Sequence, residues 1–109
     1  MSLKQAFLVL VITGSVLPVL AQVENGAVRA GNKHYNNKKF TESEIEYRKG
    51  LLKNNKSFEA TYNLGNSLFR QQKYAEAMEQ YQAAAPLEQK SKEKLAAAYH
   101  NTGNALLMQ

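Results

Sequence analysis

The feature that most constrains this chain is that it repeats itself. Residues Arg29 to Leu51, RAGNKHYNNKKFTESEIEYRKGL, moved forward by 34 positions, fall on Asn63 to Ala85, NLGNSLFRQQKYAEAMEQYQAAA. Gly31 then meets Gly65, Asn32 meets Asn66, Tyr35 meets Phe69, Phe40 meets Tyr74, Glu42 meets Glu76 and Tyr47 meets Tyr81. A third pair, Gly103-Asn104, stands 38 positions after the second, and the four added residues are expected in the spacer around Pro86 to Ser91. A fixed period of tens of residues means one supersecondary unit stacked against copies of itself.

Within each unit the apolar spacing is helical. Helices are expected at about 24–37, 40–53, 58–71, 74–85 and 91–108. Ser57 is an available N-cap for the third, and Thr41 with Glu44 has capping-box spacing at the start of the second. Pro86 cannot extend the fourth. Thr61, Leu64, Gly65 and Leu68 share one stripe of the third helix, and Tyr74, Ala77, Tyr81 and Ala84 form the facing stripe of the fourth. Gly65 costs about 1 kcal/mol of helix propensity relative to alanine, so close approach of the partner helix is the expected compensation. Tyr47, Tyr74 and Tyr81 read as core aromatics, and His34 as a half-buried packing residue.

The repeat resembles the tetratricopeptide repeat (TPR). The second copy supplies Leu64, Gly65, Leu68, Ala77, Tyr81 and Ala84 at the family's positions, with Thr61 off pattern; the first supplies Ala27, Ala30, Gly31, His34, Ser43, Tyr47 and Gly50. The proline of the family's repeat end is missing, with Asn55 and Gln89 in its place. The resemblance covers about residues 24–109. It implies an all-α, antiparallel helix-turn-helix solenoid of about two and a half repeats, divided as 24–57, 58–90 with an extended junction, and 91–109 as the first helix of an incomplete third repeat. It also implies a concave groove for an extended peptide or partner helix, lined by the first helix of each repeat. The groove positions are Val28, Asn32 and Tyr35; Tyr62, Asn66 and Phe69; and His100, Asn104 and Leu107, with Arg29, Asn63 and Asn101 at the edge. An asparagine amide both donates and accepts, so such a row can bond a peptide backbone. Two roles stay open to Asn32, Asn66 and Asn104: local bonding within the repeat, or contact with a ligand. Val28, Ala97 and Asn101 stand where the family's carboxylate clamp is basic, which disfavours a C-terminal carboxylate as ligand. With the signal-peptide pattern at its N-terminus, the chain is similar to the exported TPR proteins of Bacteroides aerotolerance operons.

The first 21 residues read differently. One lysine, an apolar run interrupted by Gly14 and Pro18, and the ending Val19-Leu20-Ala21 form a secretory signal-peptide pattern, with cleavage expected after Ala21. An uncleaved membrane anchor is the rival, but the run is short against the ~20 residues that span a bilayer. Periplasmic or secreted location follows. Removal of Lys4 leaves thirteen basic residues against nine glutamates, a net charge of +4. These charges are interspersed, as in ESEIEYRKGLLK, which marks a solvated helix face and not a nucleic-acid surface. The chain has no cysteine, so neither disulfides nor thiolate metal sites are available.

No constellation for catalysis is present. Cysteine and aspartate are lacking, no Gly-rich phosphate loop occurs, and neither histidine has a carboxylate at helical spacing. No enzyme, cofactor or metal is expected, and the partner is expected to be a protein or peptide, including membrane-anchored envelope proteins. At the last helix Leu95, Tyr99, Leu106 and Leu107 are expected to have an open side, because each solenoid repeat covers only its neighbour. The alternatives are a structural subunit that self-associates or docks through that helix, or a fragment of a longer TPR array. Intact-mass measurement on the protein made by its own host should show loss of residues 1–21; retention of the full mass would sink the cleavage assignment.

Overall fold

The computed structural model describes residues 16–109, with side chains from Asn25 onward. Residues 1–15 of the expected leader lie outside the described residues. Five α-helices follow in order: α1 (Val16–Asn36), α2 (Phe40–Lys53), α3 (Phe58–Arg70), α4 (Tyr74–Ala84) and α5 (Lys92–Met108), with a 3-10 turn at Ala85–Leu87 between the last two. The described residues hold no strand, and none of their helices is long and apolar enough to cross a membrane. α1 starts eight residues earlier than expected. Pro18 falls in its first turn, where a missing N–H costs no intrahelical bond.

Each helix packs chiefly on its neighbours in sequence. The α1–α2 and α3–α4 hairpins turn in the same way. Lys38 (φ 60°) and Gln72 (φ 64°) both adopt the left-handed conformation. Around them Lys38 N–H bonds Tyr35 O and Lys39 N–H bonds His34 O, as Gln72 bonds Phe69 O and Lys73 bonds Leu68 O. This is a Schellman closure, with a side-chain residue where glycine is usual. An aromatic pair seals each turn: Tyr35 against Phe40 at 5.2 Å and Phe69 against Tyr74 at 5.0 Å, both edge to face. Arg70 adds its guanidinium over the Phe40 ring at 4.6 Å.

Within the hairpins the glycines do what the stripe requires. A Cβ built on Gly65 would lie 2.7 Å from Tyr81 Cε1 and 2.8 Å from Cδ1, and one on Gly31 would collide with the Tyr47 ring. Tyr47 and Tyr81 are 1% and 2% exposed. Both belong to one core cluster with Leu64, Leu68, Ala77 and Ala105. A second cluster of Phe58, Ala84, Ala85 and Ala98 holds α5 against the end of α4, with Leu87 and Leu95 packed on it. Between hairpins, Ser43 of α2 and Ser67 of α3 are fully buried and share a 2.6 Å hydrogen bond.

Three expectations are corrected. The Thr41–Glu44 capping box does not form: Phe40, fixed by Tyr35 and Arg70, is already helical, so the cap position falls on Lys39, which makes no side-chain cap bond. Glu44 instead accepts from Arg48 Nε at 2.9 Å and from Gln71 Nε2 of the next repeat at 2.9 Å. Leu95 does not lie open; it is half buried on the second cluster. The extra four residues are not in the spacer. Ser57 and Ser91 cap α3 and α5 through Ala60 N and Lys94 N, and these caps stand 34 residues apart. The insertion therefore lies inside α5, whose 17 residues exceed the 13 of α3 by about one turn. An added turn returns side chains to nearly the same face, so Gly103 and Asn104 keep their stripe.

The glycines make a matched test. Gly65→Ala should lower stability by about 1–3 kcal/mol, because overpacking against a fixed ring outweighs the helix-propensity gain. Gly103→Ala, whose Cβ would meet no atom of the described residues within 4 Å beyond its chain neighbours and its own helix backbone, should raise stability by about 0.5–1 kcal/mol. Denaturant melts read both, and shifts of equal sign would contradict the ring-on-glycine account.

Candidate functional site

Asn32 and Asn66 follow directly on the glycines that receive the tyrosine rings. Tyr47 Oη donates to Asn32 Oδ1 at 2.6 Å, and Tyr81 Oη donates to Asn66 Oδ1 at 2.6 Å. The local role open to these asparagines is thus filled at the carbonyl oxygen. Glycine and asparagine form one seat, the first making room for the ring and the second accepting its hydroxyl.

The amide nitrogens link the seats to one another. Asn66 Nδ2 donates to Asn63 Oδ1 and Asn63 Nδ2 donates to Asn32 Oδ1, both at 3.4 Å. Farther along, Asn101 Nδ2 donates to Tyr62 Oη at 2.6 Å and Asn104 Nδ2 to Asn101 Oδ1 at 3.2 Å. Asn32, Asn63 and Asn66 thereby form one chain across α1 and α3; Tyr62, Asn101 and Asn104 form another across α3 and α5. Bonds of 3.4 Å are long for N–H···O, so those donors can be exchanged for a better acceptor at little cost.

The other expected positions are not all part of this row. Val28 packs on the main core cluster. Tyr35 and Phe69 are engaged with Phe40 and Tyr74 at the hairpin turns, although each keeps partial exposure. Tyr62 stacks on Phe58 at 5.4 Å and tilts against Tyr81 at 5.5 Å, so its ring is held while its hydroxyl accepts from Asn101. His100 is exposed beside the row.

Two interactions escaped the sequence reading. The tyrosine–asparagine bond carried a signal, since 15 residues separate Asn32 from Tyr47 and also Asn66 from Tyr81. The Gln71–Glu44 bond between repeats carried none. Burial pushes the Glu44 carboxyl up, but the hydrogen bonds from Gln71 and Arg48 and the charges of Arg48 and Lys73 outweigh it, so the group is held below the usual carboxylate range.

The described residues hold no cluster of three or more histidine and carboxylate side chains placed to bind a metal. No protein family matches the chain, and no curated protein matches it. What the amide row offers is a set of neutral donors and acceptors, prepositioned by the hydroxyls of buried and half-buried rings.

Burial, helped by Tyr35, raises the Tyr47 hydroxyl to about 12, and burial with Tyr62 and Tyr35 raises Tyr81 also. An unfolded tyrosine ionises near pH 10. The stability contributed by the two protonated hydroxyls is therefore complete below about pH 10; the Tyr47 share is lost as pH rises through about 12, and the Tyr81 share at still higher pH. An alkaline titration followed by tyrosinate absorbance and helical circular dichroism should show the late tyrosines ionising together with loss of helix. The Tyr47→Phe/Tyr81→Phe variant should lose that late component; full ionisation near pH 10 with the helices intact would contradict the seats.

Proposed function

We infer that this chain is an exported, non-catalytic protein-interaction module of TPR type, which holds an extended peptide or a partner helix along the row of amides on α1, α3 and α5. The observation that carries the reading is the pair of asparagine chains, Asn32–Asn63–Asn66 and Tyr62–Asn101–Asn104. They run across three helices drawn from successive repeats. Supporting the TPR assignment are the common hairpin turns at Lys38 and Gln72, the common ring-on-glycine contacts, and the 34-residue spacing of the Ser57 and Ser91 caps.

A backbone-reading surface fits this chemistry. The row is uncharged, its amides alternate donor and acceptor, and aromatic rings stand behind it. Charge attraction contributes little there, so selectivity comes from the shape of the strip and its aromatic neighbours. Work at a cell envelope follows from the leader pattern of residues 1–21, and membrane-anchored proteins of the envelope are the natural partners for an exported module without catalytic groups.

Peptides selected from a display library against the folded protein should bind this strip. Asn63→Ala/Asn101→Ala, which spares the Tyr47 and Tyr81 seats, should weaken them about tenfold or more while the melting temperature changes little, consistent with two or more lost hydrogen bonds. Binders unaffected by that double variant would remove the strip from consideration.

A further inference from the structure

The end of the array at which α1 begins and α2 finishes differs in chemistry from the opposite end. Because the hairpins are antiparallel, α3 begins, α4 finishes and α5 begins at this same end, where Lys94 Nζ meets Glu59 Oε1 at 2.7 Å. Lys53 and Lys56 stand exposed at the α2–α3 junction, and Lys90 and Lys92 at the α4–α5 junction. None of the four has a carboxylate within 4 Å among the described residues. The acids of this end are turned elsewhere: Glu59 is taken by Lys94, and Glu88 Oε1 folds back onto its own loop, accepting from Lys90 N and Ser91 N at 2.9 Å. At the opposite end Lys38 and Lys39 share the surface with the exposed Glu42 and Glu76, Lys73 is paired with Glu44 at 3.6 Å, and Arg70 lies over the Phe40 ring.

An apolar side chain projects among these lysines. Leu52, in the last turn of α2 beside Lys53, is 86% exposed. With Arg48 and Leu51 it lines a surface hollow of about 410 Å³. Exposed lysines around a protruding leucine suit a lipid–water boundary: the ammonium groups meet phosphates, the leucine enters the edge of the acyl region, and the lysine stems lie along it. A soluble polyanion would use the lysines and leave Leu52 in water. The leader pattern of residues 1–21 joins α1 at this end, so a chain exported by way of it emerges with this end toward the bilayer. We propose that this end is a membrane-facing surface, which rests on the anionic phospholipid headgroups of a bilayer with Leu52 inserted and Lys53, Lys56, Lys90 and Lys92 over the phosphates. Seated in this way the helices stand up from the membrane, and the amide strip, which crosses them, stays open from the side. The surface shares no residue with that strip and does not depend on it.

The test is co-sedimentation of the protein, purified from its host, with vesicles of phosphatidylcholine with and without phosphatidylglycerol. It should bind the anionic vesicles alone, and less tightly as salt rises, since exposed charges are screened. Lys53→Gln/Lys56→Gln should weaken binding about tenfold or more, each lysine at an anionic surface being worth about fivefold. Leu52→Ser should weaken it about threefold or more through the lost apolar burial. Melting temperatures should stay near wild type, because all three side chains are exposed. Lys38→Gln/Lys39→Gln, which removes the same charge from the opposite end, should cost at most about twofold. The proposal is overturned if the protein ignores anionic vesicles, if it binds neutral ones as well, or if Lys38→Gln/Lys39→Gln costs as much as Lys53→Gln/Lys56→Gln. Binding that is indifferent to Lys53→Gln/Lys56→Gln would belong to a retained leader and would overturn it equally. Binding that Leu52→Ser leaves unchanged would make the surface a general polyanion site, and the bilayer would be rejected as its partner.

Discussion

A tyrosine ring packed directly against a glycine is the contact on which the rest of this structure depends. It sets the distance between the helices of each hairpin, and that distance decides what else can be buried. With Tyr47 on Gly31 and Tyr81 on Gly65, alanines and serines suffice to fill the remaining space, which is why the core contains so few large aliphatic side chains. A core of this kind has little slack. Its density comes from interlocked shapes, and a single methyl group at the glycine removes the fit.

The hydroxyl of the same ring joins packing to surface chemistry. Burying a tyrosine requires a partner for its oxygen, and the partner here is an asparagine at the edge of the helix. The amide is thereby oriented: Asn66 turns its donor toward Asn63, and Asn32 Oδ1 accepts from Asn63 as well as from Tyr47. Asn63 and Asn101 extend this order from one repeat to the next. A surface that looks like loosely placed polar residues is thus indexed to the core, and a ligand meeting it finds donors whose directions are already set.

Much of this was legible in the sequence, and the reasons are specific. The 34-residue shift exposes equivalences that no single-window propensity carries, and the stripe Thr61, Leu64, Gly65 and Leu68 follows from helical geometry alone. Ser57 was legible as a cap because its bond is local. What failed depended on side chains distant in sequence. Thr41 has the spacing of a capping box, yet with the helix beginning at Phe40, whose ring packs on Tyr35 and under Arg70, the cap position falls on Lys39 and Glu44 turns to Arg48 and Gln71. The four inserted residues looked like spacer because Pro86 lies nearby, whereas a helix absorbs four residues with little rotation of its face. The role of Asn32 and Asn66 was left open because the deciding group, a tyrosine hydroxyl, lies 15 residues away on another helix.

Because each helix leans chiefly on the one before and the one after, stability is distributed unevenly along the chain. α3 and α4 are braced from both directions, by α2 on one side and α5 on the other. Among the described residues α5 packs chiefly on α4 and the turn before it, from one side. In such a linear array the free energy of opening is a sum of nearest-neighbour terms, so a helix braced from both sides opens later than one braced from a single side. Any helix laid on α5 would add a neighbour there, and that gain would be transmitted inward as slower opening of the helices behind it.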